Sequence, residues 1–333
     1  MLSRTADHLF WMSRYMERAE NTARMLDINY QTSLLPQSDD RAEQGWSGLL
    51  GISELTWSFH QKHSTVTPAA VMDFMVRDAG NPSSIVSCLR AARENARAVR
   101  GALTTEVWET HNFTYLDLQR LLKTNMLERN PAKFFEWVRF RSHVSRGVNL
   151  GTMLRGEAFY FQRMGTFLER ADNTARLVDV KFHGPQGDYF GPREHHGEHA
   201  REPLREHARE HPEQEKDFYH WSAVLSSVSG LETYRKIYRD VVKPERVAEM
   251  LILNPDLPRS LANCMNEVVT NLSHVTSDPK SESARQAGRL RADVQYGRIG
   301  DILSTGLHAW LTQFLDRVND IGAGISRDFL VPA

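Results

Sequence analysis

The sequence predicts an all-α protein, an internally duplicated helical bundle with two pseudo-symmetric halves. Three observations lead there. The octapeptide ERAENTAR at 17–24 returns as ERADNTAR at 169–176, differing only in Glu20 against Asp172. Each copy sits in a long proline-free stretch whose apolar residues follow the helical period. Segments that resemble strands, such as VVKPERV, contain breakers.

The first long helix is expected to begin near Ser3, which can cap it, and no proline interrupts residues 3–34. At 100° per residue, His8, Met12, Tyr15, Ala19, Ala23, Leu26 and Tyr30 share one broad face. Glu17, Asn21 and Arg24 lie opposite, with Glu20 and Asp27 at the margin. The second copy gives the same wheel, with Glu169, Asn173 and Arg176 as its polar stripe. Solvated faces tolerate many residue types, so a polar stripe repeated in identity is expected to face something other than water.

The similarity continues beyond the octapeptides. VMDFMVRDAGNPSS (71–84) aligns with VAEMLILNPDLPRS (247–260), and the same shift pairs Pro68 with Pro244 and Cys88 with Cys264. Trp46 pairs with Trp221, and Trp137 with Trp310. The expected organisation is therefore a first helical repeat over 1–150 and a second over 151–333, packed as one pseudo-dimeric unit. The tract GPQGDYFGPREHHGEHAREPLREHAREHPEQEK (184–216) interrupts the second repeat. It has almost no aliphatic residues and is expected to be an exposed insertion. A third variant, RAARENARAVR (90–100), is expected to turn Glu94 and Arg97 toward the octapeptide helices. Its partner segment, NEVVTNLSHV, lacks those arginines, so the repeat is asymmetric and favours one site over two.

Composition excludes several classes. Of 333 residues, 41% are apolar and 25% charged, with a net charge of −1, so no global field points to nucleic acid or an anionic membrane. Two cysteines without metal spacing suggest a reducing cytoplasm, and no signal peptide or membrane span is expected. No phosphate loop, GxSxG elbow or dinucleotide fingerprint is present, and no cofactor is expected. HAREH (207–211) matches a zinc-binding pattern formally, but it lies in a His- and Glu-crowded tract where such a match is cheap. The octapeptides lack the Glu-x-x-His pairs of a dimetal bundle. Cys88, Cys264 and the matched tryptophans read as core residues.

The stripes admit two readings. In one, Arg18, Asn21, Arg24, Arg97, Arg170, Asn173 and Arg176 bind a ligand, the arginines gripping a carboxylate or phosphate. Glu17 and Glu169 then hold an amine or act as general acid/base. Such a set suits an amino acid or short peptide. In the other, each glutamate pairs an arginine across the interface and fixes the register of the halves.

Together, LSRTADHLFWMSRYMERAENTARMLD, RENARAVR, GTMLRGEAFYFQRMGTFLERADNTARLVD (151–179) and LILNPDLPRS (251–260) resemble the alpha-E family of bacterial proteins. The resemblance spans nearly the whole chain. It implies an all-helical fold of uncharacterised activity, in the company of ATP-grasp amidoligases and transglutaminase-like peptidases. The expected role is an accessory or substrate-binding component of an ATP-grasp-dependent peptide-forming or peptide-modifying system. A stand-alone enzyme of amide or acyl transfer or hydrolysis, using Glu17 or Glu169, is the alternative.

Overall fold

Two helices carry the octapeptides, and the rest of the molecule is arranged about them. They are α1 (Ser3–Ser33) and α9 (Glu157–Phe182). A computed structural model describes residues 1–34, 39–182, 221–276 and 278–330; the expected insertion at 184–216 and its HAREH lie outside these. Among the described residues there is no strand, and no helix is long and apolar enough to cross a membrane.

Between the central helices run α2 (Asp39–Ile52), α3 (Thr56–His60), α4 (Pro68–Val76), α5 (Ile85–Ala98), α6 (Thr105–Lys123), α7 (Met126–Arg129) and α8 (Pro131–Thr152). After α9 come α10 (221–227), α11 (Leu231–Tyr238), α12 (Pro244–Leu253), α13 (Leu261–Val275), α14 (Glu282–Gln295), α15 (Ile299–Thr305) and α16 (Leu307–Phe329). Helix α1 packs against α5 and α8, with α6 between those two; α9 packs against α13 and α16, with α14 between them.

Local chemistry sets these boundaries. Pro68 and Pro244 open α4 and α12, where a missing N–H costs nothing. Ser84 and Ser260 cap α5 and α13, their hydroxyls accepting from the amides of Ser87 at 3.2 Å and Asn263 at 3.0 Å. Ser3 does not cap α1 as expected. Leu2 holds the extended N-cap position, and Ser3 is already the first helical residue.

The core is shared. Trp46, Trp221, Cys88 and Cys264 are all buried in it. Trp137 and Trp310, expected to be anchors, are partly buried against its edge. Burial pushes both thiols up to about 12, which leaves them protonated small apolar groups.

Helices α1 and α9 make the most extensive contact in the molecule. The pairs Phe10–Gly165, Glu17–Arg170 and Met25–Asn173 advance together along both chains, so the helices run in the same direction. Gly165 allows the approach: a Cβ there would meet the Phe10 carbonyl oxygen at 2.3 Å. Because α5 and α8 cover the other sides of α1, its middle is buried all round. The polar stripe is inside the protein, with Glu17 1% exposed, Asn21 3% and Arg24 6%.

Candidate functional site: the α1–α9 charge centres

The two glutamates exchange arginines between helices. Arg170 Nε and Nη2 each donate to Glu17 at 2.9 Å, a two-pronged contact from α9 to α1. In the reverse direction Arg18 donates to Glu169 from Nε and from Nη2, the latter at 3.0 Å, and Arg14 adds a bond at 2.8 Å. Each Glu-Arg dipeptide thus supplies the acceptor for the other helix and the donor to it. A buried carboxylate needs such a partner to stay charged. The i, i+1 spacing turns the two charges toward the neighbouring helix on adjacent sides of the seam.

An arginine nearly two turns further on repeats the exchange with the loops. Arg24 donates to Glu20 at 2.8 Å and to the Ser229 hydroxyl at 2.7 Å. Arg176 donates to Asp172 at 2.9 Å and also to Glu54. Ser229 and Glu54 are both non-glycine residues in the left-handed region, at φ 56° in each case, and both stand just past a Trp-bearing helix.

Around Glu17 further groups join that the octapeptide does not supply. Arg259, in the turn before α13, donates to Asn21 at 2.7 Å and Glu20 at 2.6 Å and lies 3.1 Å from Glu17. Arg146 of α8 donates through one nitrogen, Nη1, to Glu17 at 3.0 Å and also to Glu20. Ser142 donates at 2.7 Å to the same Glu20 oxygen, Oε2, that Arg146 reaches. Burial alone would raise the Glu17 carboxyl, but Arg170, Arg259 and Arg146 outweigh it and hold it at about 2. Against the same burial, Arg259, Arg146 and Arg24 keep Glu20 well below the usual carboxylate range. Burial likewise opposes ionisation of Glu169, and Arg14 and Arg18 overcome it. Neither Glu17 nor Glu169 is set up to exchange a proton near neutral pH, which speaks against the acid/base role considered for them.

The two centres differ in charge. Glu17 and Glu20 face Arg24, Arg146, Arg170 and Arg259, two carboxylates against four guanidiniums. Glu169, Asp172 and Glu54 face Arg14, Arg18 and Arg176, three against three. The surplus shows in Arg24, whose own charged form is disfavoured by burial and by Arg259, with Glu20 only partly compensating. His143 lies beside it, its Nε2 3.3 Å from Arg24. Burial and the neighbouring arginines lower its pKa although Glu20 raises it, so it stays neutral.

Each expected site residue has a definite place. Arg18, Asn21, Arg24 and Arg170 belong to these networks. Asn173 is half-buried at the seam, its amide 4.0 Å from the Met25 sulfur. Arg176 is committed to Asp172 and Glu54. Arg97 does not face the octapeptide helices: its side chain is 66% exposed and, among the described residues, pairs with Glu94 alone on the surface of α5. Helix α5 spends its inner face on Cys88, Leu89, Ala92 and Ala96, and Arg97 stands one residue round from it. Arg259, Arg146, Glu20, Ser142 and His143 were not among the expected site residues.

A family model described as a predicted alpha-helical domain with a conserved ER motif matches residues 1–330. The chain belongs to the Alpha-E family. Glu17–Arg18 and Glu169–Arg170 are ER dipeptides, and the crossed pairing gives a physical reason for such a motif in an Alpha-E protein. Comparisons with curated proteins and with solved structures find no match.

Proposed function

We propose that this Alpha-E protein is a binding component of an ATP-grasp-dependent amide-forming or peptide-modifying system in the cytoplasm. Its Glu17–Glu20 centre receives the anionic end of an amino acid or short peptide, or an acidic segment of the ligase. The observation that carries the reading is the surplus of guanidinium over carboxylate in that centre. A buried ion-pair network that only fixes register has no use for uncompensated charge, which is costly to bury. The partners, an ATP-grasp amidoligase and a transglutaminase-like protein, come from the family resemblance.

In this reading a duplication placed one helix on each side of the seam. One centre kept the balanced clasp, and the other gained Arg259 and Arg146 and became a cationic receptor. Pull-down of the tagged chain from its native host, with mass spectrometry of bound proteins and small molecules, tests it. Recovery of an ATP-grasp protein or of a retained carboxylate ligand is the expected result. A chain that returns as a bare monomer, with neither, overturns it.

A further inference from the structure

Beside the Glu17 centre, α1, α6, α8 and α9 line a cavity of about 270 Å³ that opens to solvent. That lies just under the ~300–1,000 Å³ of pockets that take drug-sized ligands. Its wall combines polar side chains with the apolar Met16, Leu150, Phe159 and Phe167. Phe167 ties the cavity to the charge centre, since Arg163 and Arg170 both lie over its ring at 5.0 Å.

Three features of the polar side chains point to a ligand. Arg146 is anchored by Nη1 alone, to Glu17, Glu20 and Ser142, and its Nε and Nη2 have no partner among the described residues. That leaves a two-donor edge on a residue 32% exposed at the cavity wall. His111 is 3% exposed and bonds through Nε2 to the Ser145 hydroxyl at 3.3 Å, while its Nδ1 has no partner. Asn149 donates its amide to Gln162, while its Oδ1 is buried and has no partner. Each unpaired buried polar atom costs roughly 1–3 kcal/mol, so two on one cavity wall ask for an explanation.

We infer that this cavity binds a small carboxylate that also carries an N–H donor, the size of an amino acid or dipeptide. The carboxylate takes the free edge of Arg146; Asn149 Oδ1 and His111 Nδ1 are covered in this structure, so their side chains turn on binding, Oδ1 to accept the N–H and Nδ1 to meet a polar group of the ligand. Burial and the nearby Arg141 lower the His111 pKa to about 4, so its ring is neutral and one nitrogen is left to accept. A phosphate brings more negative charge than a carboxylate, and that charge meets the Glu17 carboxylate on the same wall. The inference rests on the anion-binding reading above and narrows it to a place and a ligand class.

The test titrates the full chain with L-alanyl-L-alanine, N-acetyl-L-alanine, propionate and inorganic phosphate. Calorimetry and the ¹⁵N signals of the histidine rings are followed together. One or both alanine ligands should bind and shift the His111 signals, and propionate should bind at least about tenfold more weakly. Arg146→Met should weaken every carboxylate at least about tenfold. Because Arg146 also holds Glu17 and Glu20, Asn149→Ala is the second variant: it should weaken the alanine ligands and leave propionate unchanged. Binding that leaves His111 silent and is indifferent to Asn149→Ala overturns the cavity while sparing the anion-binding reading. Phosphate binding tighter than either alanine ligand overturns the ligand class. No binding of any probe to the unmutated chain overturns the cavity inference, while the anion-binding reading stands or falls with the pull-down.

Discussion

Around Glu17, four guanidiniums surround two carboxylates; around Glu169 and its neighbours, three face three. Both centres grow from nearly the same octapeptide, so the difference comes from what the rest of the chain brings to each. Arg259 reaches Glu17 and Glu20 from a turn where the corresponding first-half position is Ser83. Arg146 reaches them from α8, where the corresponding residue of α16 is Asn319. Ser229 offers Arg24 a hydroxyl where Glu54 offers Arg176 a carboxylate. A balanced pair network is a clasp. A cationic one in a protein interior is a clasp with capacity left over, and the comparison teaches that the same motif can serve either purpose.

The largest expected effect comes from removing a carboxylate at the cationic centre. Glu17→Gln leaves Arg170 without a carboxylate and Arg146 and Arg259 with Glu20 alone, and should cost about 3–5 kcal/mol in urea unfolding. Glu169→Gln should cost less, because Arg14 and Arg18 keep part of their surface in water. Equal losses would break the contrast.

Acid should act next most strongly. Glu17 at about 2, with Glu20 and Glu169 also lowered, means the unfolded chain takes up protons first as pH drops below the ordinary carboxyl value of 4.5. The stability these groups contribute is complete above that value and declines as pH falls toward 2. Denaturation midpoints measured from neutral to acid pH should therefore fall, and the fall should be shallower in Glu17→Gln.

Ser229→Glu sharpens the comparison from the other side. The position tolerates the left-handed backbone that Glu54 already adopts, and the new carboxylate would reach Arg24. It should stabilise by roughly 0.5–1 kcal/mol, the scale of a partly exposed pair. It should also weaken any anion bound at that centre. Arg97→Ala should do least, within about 0.5 kcal/mol, as an exposed residue outside both centres; a larger loss on thermal unfolding would put it back among the site residues.

The all-helical fold was legible because apolar periodicity and prolines act locally, and α1 and α9 follow from them, although Ser3, the one cap expected, does not cap. The burial of the stripe was legible too, since identity repeated on a polar face signals a constraint. The charge partners were less so. Glu20 looked marginal on a helical wheel because a wheel knows nothing of Arg259, 239 residues away. Arg146 offers no motif, only a long side chain on a helix that packs against α1. Arg97 misled because RENAR copies the letters of the octapeptide core while α5 turns a different side inward. One usable signal was present: Arg259 stands where the aligned first-half segment has a serine, in a stretch otherwise well matched.

Each crossed pair at the seam joins residues far apart in sequence, Glu17 and Arg170 being 153 positions apart. By contrast, α5 lies much nearer to α1 along the chain, and α13 much nearer to α9. Closing so long a loop costs entropy before any bond rewards it, and contacts of this separation slow folding. The seam is therefore expected to close after its two sides have largely formed. During biosynthesis α1 would stand with its charged side uncovered until α9 emerges, and the ER dipeptides then act as a check that the correct surfaces have met.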